Sequence, residues 1–224
     1  MKQLFMMMFV MFFLCVSVSL YAQKDTVDVA SDVTEGNLNK AVQEAIDGET
    51  LDNTVFRLEP FGYYILDGEI VTPQGSILDI YAPEPGTTQE TAPPQIVWTT
   101  SAAPSKDRFF DLQGDFIMKN VWVRYADAAG VQVGSTIQFE DDEEANASGK
   151  GERGYFEGCI FDYSRIPPTN SGGAINVLAQ HFKGTFKNCY FRNCADPHYR
   201  YYGRAVSFPY DTDGWHNDSL YFEN

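Results

Sequence analysis

The chain has few of the residues that build most metal and nucleophilic sites, with 3 His and 4 Cys among 224 residues. No histidine stands at ligand spacing from a cysteine, so nothing supports a zinc site. Glycine-rich phosphate loops and a Ser/His/Asp arrangement are missing too. These gaps argue against a zinc enzyme, a nucleotide-binding protein and a serine hydrolase.

Positive charge is also scarce. There are 16 Lys and Arg residues against 31 Asp and Glu residues, and the formal net charge is −15. A protein this acidic is repelled by phosphate backbones and by anionic lipid. We therefore expect neither nucleic acid nor a membrane surface as a partner.

Only one long hydrophobic run exists, at residues 4–20, between Lys2 and the small residue Ala22. This layout is typical of a secretory signal peptide, and we predict cleavage after residue 22. A retained membrane anchor is the alternative, because the run is at the short limit for spanning a bilayer. Cys15 lacks the small preceding residue that lipid attachment needs. We expect a secreted or cell-surface protein with no membrane span after cleavage.

Helical periodicity is clear in one place, residues 37–46, where apolar side chains recur on one face before Asp47-Gly48 ends the pattern. Residues 23–36 are expected to link the leader to this helix. From Val55 onward the chain has short β-rich runs separated by Gly, Pro and Asn. Nothing in this pattern indicates alternating β and α units.

An internal repeat organises the β-rich part. Residues 154–161 match residues 184–191 position by position, and residues 117–123 carry the same pattern. The equivalent anchor positions are Asn120, Gly158, Asn188 and Asn224, and a short apolar strand precedes each. Strands this short cannot bury their apolar faces alone, but coils stacked on one another form parallel sheets around a continuous core.

The Asn-Cys-x-Phe pattern has a physical interpretation in stacked coils. Asparagine tolerates the backbone of a sharp turn, so it is expected at the corner between two sheets. Cysteine and phenylalanine follow with period two, and are expected to point inward and to stack on their equivalents in the next coil. The sequence therefore predicts an all-β solenoid.

The repeat resembles the right-handed parallel β-helix superfamily, which includes pectate lyases, chondroitinase B and related alginate lyases. The opening at residues 36–46, followed by residues 56–64 and 67–70, is similar to the N-terminal helix and first coils of that group. The stretch 186–194, Phe-Lys-Asn-Cys-Tyr-Phe-Arg-Asn-Cys, resembles secreted bacterial proteins of this fold.

The resemblance implies a right-handed parallel β-helix at residues 37–224, with an N-terminal capping α-helix. Because the chain stops inside a repeat, we expect this domain to be the cap and early coils of a longer one. We expect the chain as given to aggregate or to fold with poor cooperativity.

The same resemblance implies action on, or binding of, extracellular polysaccharide, as a polysaccharide lyase or a glycoside hydrolase, with calcium as a possible cofactor. No position matches the catalytic residues of the family, which sit on later coils. The alternative is a non-catalytic adhesin or a glycan-binding stalk.

The densest aromatic and basic cluster lies in a predicted loop between coils. Aromatic rings stack on sugars and arginine binds carboxylates or hydroxyls, so this loop is the candidate glycan-binding surface. Its candidate residues are His198, Tyr199, Arg200, Tyr201, Tyr202, Arg204, Tyr210 and Trp215. Arg200 and Arg204 are the basic residues considered for catalysis. The alternative is that the tyrosines lie flat on the outer sheet and the loop has no binding role.

Two further features have open alternatives. The acidic run at residues 140–144 could collect calcium through its oxygens, or could be a solvated loop.

Cys159 and Cys189 occupy equivalent places in successive coils, about 4.8 Å apart, which permits a disulfide or a ladder of buried thiols. With Cys194, three cysteines remain after leader cleavage, so at least one stays unpaired within the chain.

Overall fold

A computed structural model describes residues 24–99, 108–130, 136–140, 151–163, 173–194, 204–208 and 217–224. It contains one α-helix, α1 (Asn37–Asp47), and two 3-10 helices, Leu51–Asn53 and Gln89–Thr91. The strands in chain order are β1 (Asp25–Val29), β2 (Thr54–Leu58), β3 (Tyr63–Leu66), β4 (Ile70–Val71), β5 (Ile77–Tyr81), β6 (Gln95–Trp98), β7 (Arg108–Leu112), β8 (Asp115–Lys119), β9 (Trp122–Asp127), β10 (Thr136–Phe139), β11 (Arg153–Glu157), β12 (Ile160–Asp162), β13 (Ile175–Val177), β14 (Lys183–Lys187), β15 (Tyr190–Arg192), β16 (Val206–Ser207) and β17 (Ser219–Glu223).

These strands form three parallel sheets. Sheet A has the order β1-β2-β5-β8-β11-β14-β17, sheet B the order β3-β6-β9-β12-β15, and sheet C the order β4-β7-β10-β13-β16. From β2 onward, successive strands enter sheets A, B and C in turn, so each coil adds one strand to each sheet. The predicted all-β solenoid is confirmed, and the arrangement is compatible with a parallel β-helix.

The core is a set of side-chain ladders that run from coil to coil. Period-two alternation sends one side of each strand inward, and like residues then meet across the parallel register. The Phe156 ring stacks on the Phe186 ring with centroids 5.2 Å apart, and Phe186 stacks on Phe222 at 4.8 Å. Phe161 and Phe191 stack at 4.8 Å in the neighbouring ladder.

The corner between sheets A and B has the geometry that the repeat predicts. Asn120, Gly158 and Asn188 stand at equivalent places and have φ angles of 58°, 63° and 51°. This left-handed conformation is accessible to glycine and tolerated by asparagine. Cys159 and Phe161 follow the corner and are fully buried. The predicted left-handed corner is confirmed, and in this coil glycine takes the place of asparagine. After Asn188, Cys189 and Phe191 are partly buried against the core.

Helix α1 packs against β1, β2 and β3. Its buried face consists of Leu38, Val42 and Ala45, as the periodicity predicts. Strand β1 lies within residues 23–36, which the sequence suggested as a linker, and pairs in parallel with β2 at the edge of sheet A. The sequence gives little signal for β1, because Val29 at its end is the one residue of this strand that is buried.

Cys159, Cys189 and Cys194 form no disulfide with one another in the described part of the chain. Cys159 and Cys189 precede the paired residues Ile160 and Tyr190, so they occupy the equivalent places that the repeat predicts. The proposed leader lies outside the described residues. Within the described part of the chain, no helix has the length and apolar character needed to cross a membrane.

Candidate functional site

A row of polar side chains crosses sheet C at one register position. Strand pairing aligns Asp111, Gln138, Asn176 and Ser207 on β7, β10, β13 and β16. Their neighbours Phe110 and Leu112 belong to the core, so alternation places the row on the outer face of the sheet. We call these four residues the polar row.

The polar row is buried although it lies on an outer face. Asp111 is 5% exposed and Asn176 is 9% exposed, and Gln138 and Ser207 are also buried. Burying polar groups is unfavourable unless they find hydrogen-bond partners. Part of this requirement is met within the row, because Asn176 Nδ2 donates to Gln138 Oε1 at 2.9 Å. Gln138 Nε2 in turn donates to Glu140 Oε1.

Arg108 joins the row to further carboxylates. Its Nη1 atom donates to Asp111 Oδ2 at 2.8 Å and also to Glu140 Oε1. Glu69 Oε1 lies 4.0 Å from the Nε atom of the same guanidinium. One cation therefore serves three carboxylates, and the local formal charge is negative.

The environment of Glu140 changes its acidity. Partial burial raises the pKa of the Glu140 carboxyl, and the negative charge of Asp111 raises it further. Arg108 and Gln138 act in the opposite direction but do not cancel the effect. Perturbed pKa values cluster at functional sites, so Glu140 and the neighbouring Asp111 carboxyl are candidates for a functional role.

Two oxygen atoms of the row lack hydrogen bonds. Asp111 Oδ1 and Asn176 Oδ1 are buried acceptors with no partner. A buried, unsatisfied acceptor costs about 1–3 kcal/mol, so each such atom calls for an explanation, which an ordered water, an ion or a ligand can provide. Both atoms are suited to accept a hydrogen bond from a donor-rich ligand or from water.

A β-bulge in β7 places Arg108 beside the row. Thr136 pairs with Arg108 and Ile137 with Phe110, so Phe109 is an extra residue in β7. Phe109 and Phe110 are both buried as a result, and Phe109 stacks on Trp98 with centroids 5.5 Å apart. The bulge shifts the alternation by one residue, so Arg108 shares the outer face with Asp111.

Of the site residues predicted from the sequence, the structure describes Arg204. Its Nη1 atom donates to Ser207 Oγ at 3.4 Å, so it stands at the β16 end of the polar row. The other candidates, His198, Tyr199, Arg200, Tyr201, Tyr202, Tyr210 and Trp215, lie outside the described residues. The acidic run is described only at Glu140.

The polar row was not predicted, although the sequence contains a signal for it. Each strand has a polar residue between two apolar ones, in the triplets Phe110-Asp111-Leu112, Ile137-Gln138-Phe139, Ile175-Asn176-Val177 and Val206-Ser207-Phe208. Aligning these triplets by their apolar positions would have placed the polar residues in one row.

Within the described ranges, no group of three or more His, Cys, Asp or Glu side chains is arranged to hold a metal ion. The expectation of calcium as a cofactor stays a prediction. Comparison with family models, curated proteins and solved structures found no significant match for this chain.

Proposed function

We propose that the protein is an exported, right-handed parallel β-helix that binds extracellular polysaccharide along the polar row of sheet C. The supporting observation is the row itself, with its buried acceptors Asp111 Oδ1 and Asn176 Oδ1 unpaired. Sugar hydroxyls donate and accept hydrogen bonds. Strands repeat every ~4.8 Å across the sheet, so the row would offer several binding groups along an extended polymer. Because the row is buried, the groups that cover it would have to move aside when the polymer binds.

Export and capping are parts of the same proposal. The leader at residues 1–22 would direct the protein to the cell exterior, where polysaccharide is available. Helix α1 would cover the first coil, because its apolar face is buried against β1, β2 and β3. Residues 195–203 and 209–216 contain the other aromatic and basic candidates, and Arg204 would connect them to the row.

Lyase action, implied by the family resemblance, is one form that the activity could take. Elimination next to a uronate carboxylate needs a cation on that carboxylate and a base for the neighbouring proton. Arg108 is already engaged by Asp111 and Glu140. Arg204, which is exposed at the end of the row, is the better candidate for the cation.

Glycoside hydrolysis is the second candidate, and the carboxyl pair favours it. Hydrolysis uses one protonated carboxyl as acid and one carboxylate as nucleophile or base. The pKa of Glu140 is raised. Arg108 Nη1 contacts both Glu140 Oε1 and Asp111 Oδ2, which places the two carboxyl groups next to each other. In this scheme Glu140 would protonate the leaving oxygen, and Asp111 would act on the anomeric carbon or on water.

One experiment separates these possibilities from a non-catalytic adhesin or stalk. The full chain is incubated with neutral and uronate polysaccharides, and binding, ultraviolet absorbance and new reducing ends are measured. Absorbance from an unsaturated product would indicate a lyase, whereas reducing ends without absorbance would indicate a hydrolase. Binding without either product would support the non-catalytic alternative.

The matched variants are Asn176→Ala and Asp111→Asn in the row, and Asp28→Asn on sheet A as the control. Loss of one hydrogen-bonding group of the row should weaken binding by roughly three- to tenfold, since such a bond contributes ~0.5–1.5 kcal/mol. Asp28→Asn should bind as the parent does. Equal binding by all variants, or no binding to any polysaccharide, would overturn the proposal.

A further inference from the structure

A cleft lies on the opposite side of the core from the polar row, where sheet A turns into sheet B. Its volume is about 570 Å³, and its walls include Pro85, Pro93, Lys119, Glu157 and Tyr190. Clefts that bind small molecules are typically ~300–1,000 Å³ in volume. The size of this cleft is therefore suited to a small ligand or to a short part of a polymer.

The cleft has an aromatic wall that is open to solvent. Tyr190 is 64% exposed, although it lies within a strand of sheet B. Strand pairing aligns Tyr190 with Ile160 and Trp122 across sheet B. Ile160 is half-buried, and the Arg192 guanidinium lies 5.0 Å from the centre of the Trp122 ring. Among the residues that line the cleft, Tyr190 is the aromatic one, and its exposed ring is available for stacking.

The rest of the cleft combines apolar faces with a balanced charged pair. The rings of Pro85 and Pro93 line it together with Ile160. Lys119 Nζ lies 3.2 Å from Glu157 Oε2, so the positive charge of Lys119 and the negative charge of Glu157 balance each other in the cleft wall. Hydrogen bonds from Tyr155 and Lys119 lower the pKa of Glu157, which keeps the carboxylate available as an acceptor.

We propose that this corner cleft is a binding site for a neutral pyranose sugar, separate from the polar row. The C–H face of a sugar ring is apolar and stacks on an aromatic ring, and the proline rings offer a second apolar contact. Sugar hydroxyls at the ring edge would donate to Glu157 and accept from Lys119. A charged sugar gains little electrostatic attraction there, because the Lys119 and Glu157 pair carries no net charge.

The backbone makes this site rigid. Asn120 N donates to Glu157 O, and Gly158 N donates to Lys187 O, both at 2.8 Å. These bonds continue the parallel ladder around the corner between the two sheets. A preformed wall loses little conformational entropy when a ligand binds, which favours recognition even of a weakly held sugar.

The test is titration calorimetry of the full chain with β-linked tetrasaccharides of glucose, mannose and xylose, with tetragalacturonate as the charged comparison. We expect binding of at least one neutral probe and weaker binding of tetragalacturonate. Tyr190→Ala should weaken neutral binding about tenfold, equivalent to ~1.4 kcal/mol. Tyr190→Phe should retain it, because the ring that stacks on the sugar remains.

Two controls separate this site from other effects. Tyr221→Ala removes another exposed tyrosine, 53% exposed on β17, and should leave binding unchanged. Asp111→Asn should weaken binding at the polar row without changing the tyrosine-dependent component. Neutral binding that is insensitive to Tyr190→Ala, tighter binding of tetragalacturonate at this site, or binding of no neutral probe would overturn the proposal.

Discussion

The side chain of Asn120 occupies the space beside Gly158 in the next coil. A Cβ atom added to Gly158 would lie 2.4 Å from Asn120 Oδ1, which is closer than real Cβ atoms approach. Asn120 is held there because its Nδ2 donates to Ala82 O at 3.0 Å. Glycine at the corner of one coil therefore makes room for asparagine in the coil before it.

Replacing Gly158 with alanine should lower the free energy of unfolding by roughly 1–2 kcal/mol from the left-handed backbone alone. The clash with Asn120 adds to this cost. Urea unfolding followed by circular dichroism measures the change. Gly68→Ala is the control, since no atom lies within 4 Å of the added Cβ. Equal stability of the two variants would show that the corner relaxes freely.

Truncation of a ladder residue should be more damaging. Phe156 is fully buried, stacked on Phe186 and edge-on to Phe116 at 5.7 Å. We expect Phe156→Ala to reduce the free energy of unfolding by about 3–5 kcal/mol. Val33→Ala, at a side chain 99% exposed, should change it by less than about 0.5 kcal/mol. A small effect of Phe156→Ala would contradict a continuous core.

Glu140 should make stability depend on pH. Its ordinary pKa is 4.5, and burial raises the value in the folded protein. Between those two values the folded state binds more protons than the unfolded state, so the free energy of unfolding falls as pH rises through this window. In the Glu140→Gln variant, the free energy of unfolding should therefore fall less steeply with pH above pH 4.5 than in the parent chain.

The measurement is a series of urea titrations across this pH window. Glu44→Gln serves as the control because it removes a carboxylate from the exposed face of α1. If Glu140→Gln and Glu44→Gln give the same slope as the parent chain, the burial of Glu140 has no energetic consequence.

The three thiols should differ in reactivity. Cys159 is fully buried, and burial raises the pKa of its thiol well above the usual value, whereas Cys189 is partly exposed. Alkylation of the native protein followed by peptide mass spectrometry should therefore modify Cys189 before Cys159. All three cysteines should react after denaturation. If neither Cys159 nor Cys189 reacts until a reductant is added, the two form a disulfide.

Much of the fold could be predicted because its signals are local. The match between residues 154–161 and 184–191 indicated stacked coils, and the pairing of β11 with β14 confirms it. The left-handed corner at Asn188 followed from the tolerance of asparagine for that conformation. Helix α1 was evident from periodicity. The binding loop predicted around Arg204 stays a prediction.

The sequence by itself determined the repeat, the inward and outward alternation and the corner residues, because each depends on the conformational preferences of neighbouring residues. Only the tertiary structure decided which polar residues meet. Asp111, Gln138 and Asn176 come from different coils, and parallel pairing makes them neighbours. The bulge at Phe109 then turns Arg108 outward, and burial sets the acidity of Glu140. Register, bulge and burial arise from contacts between coils of unequal length, which local periodicity does not encode.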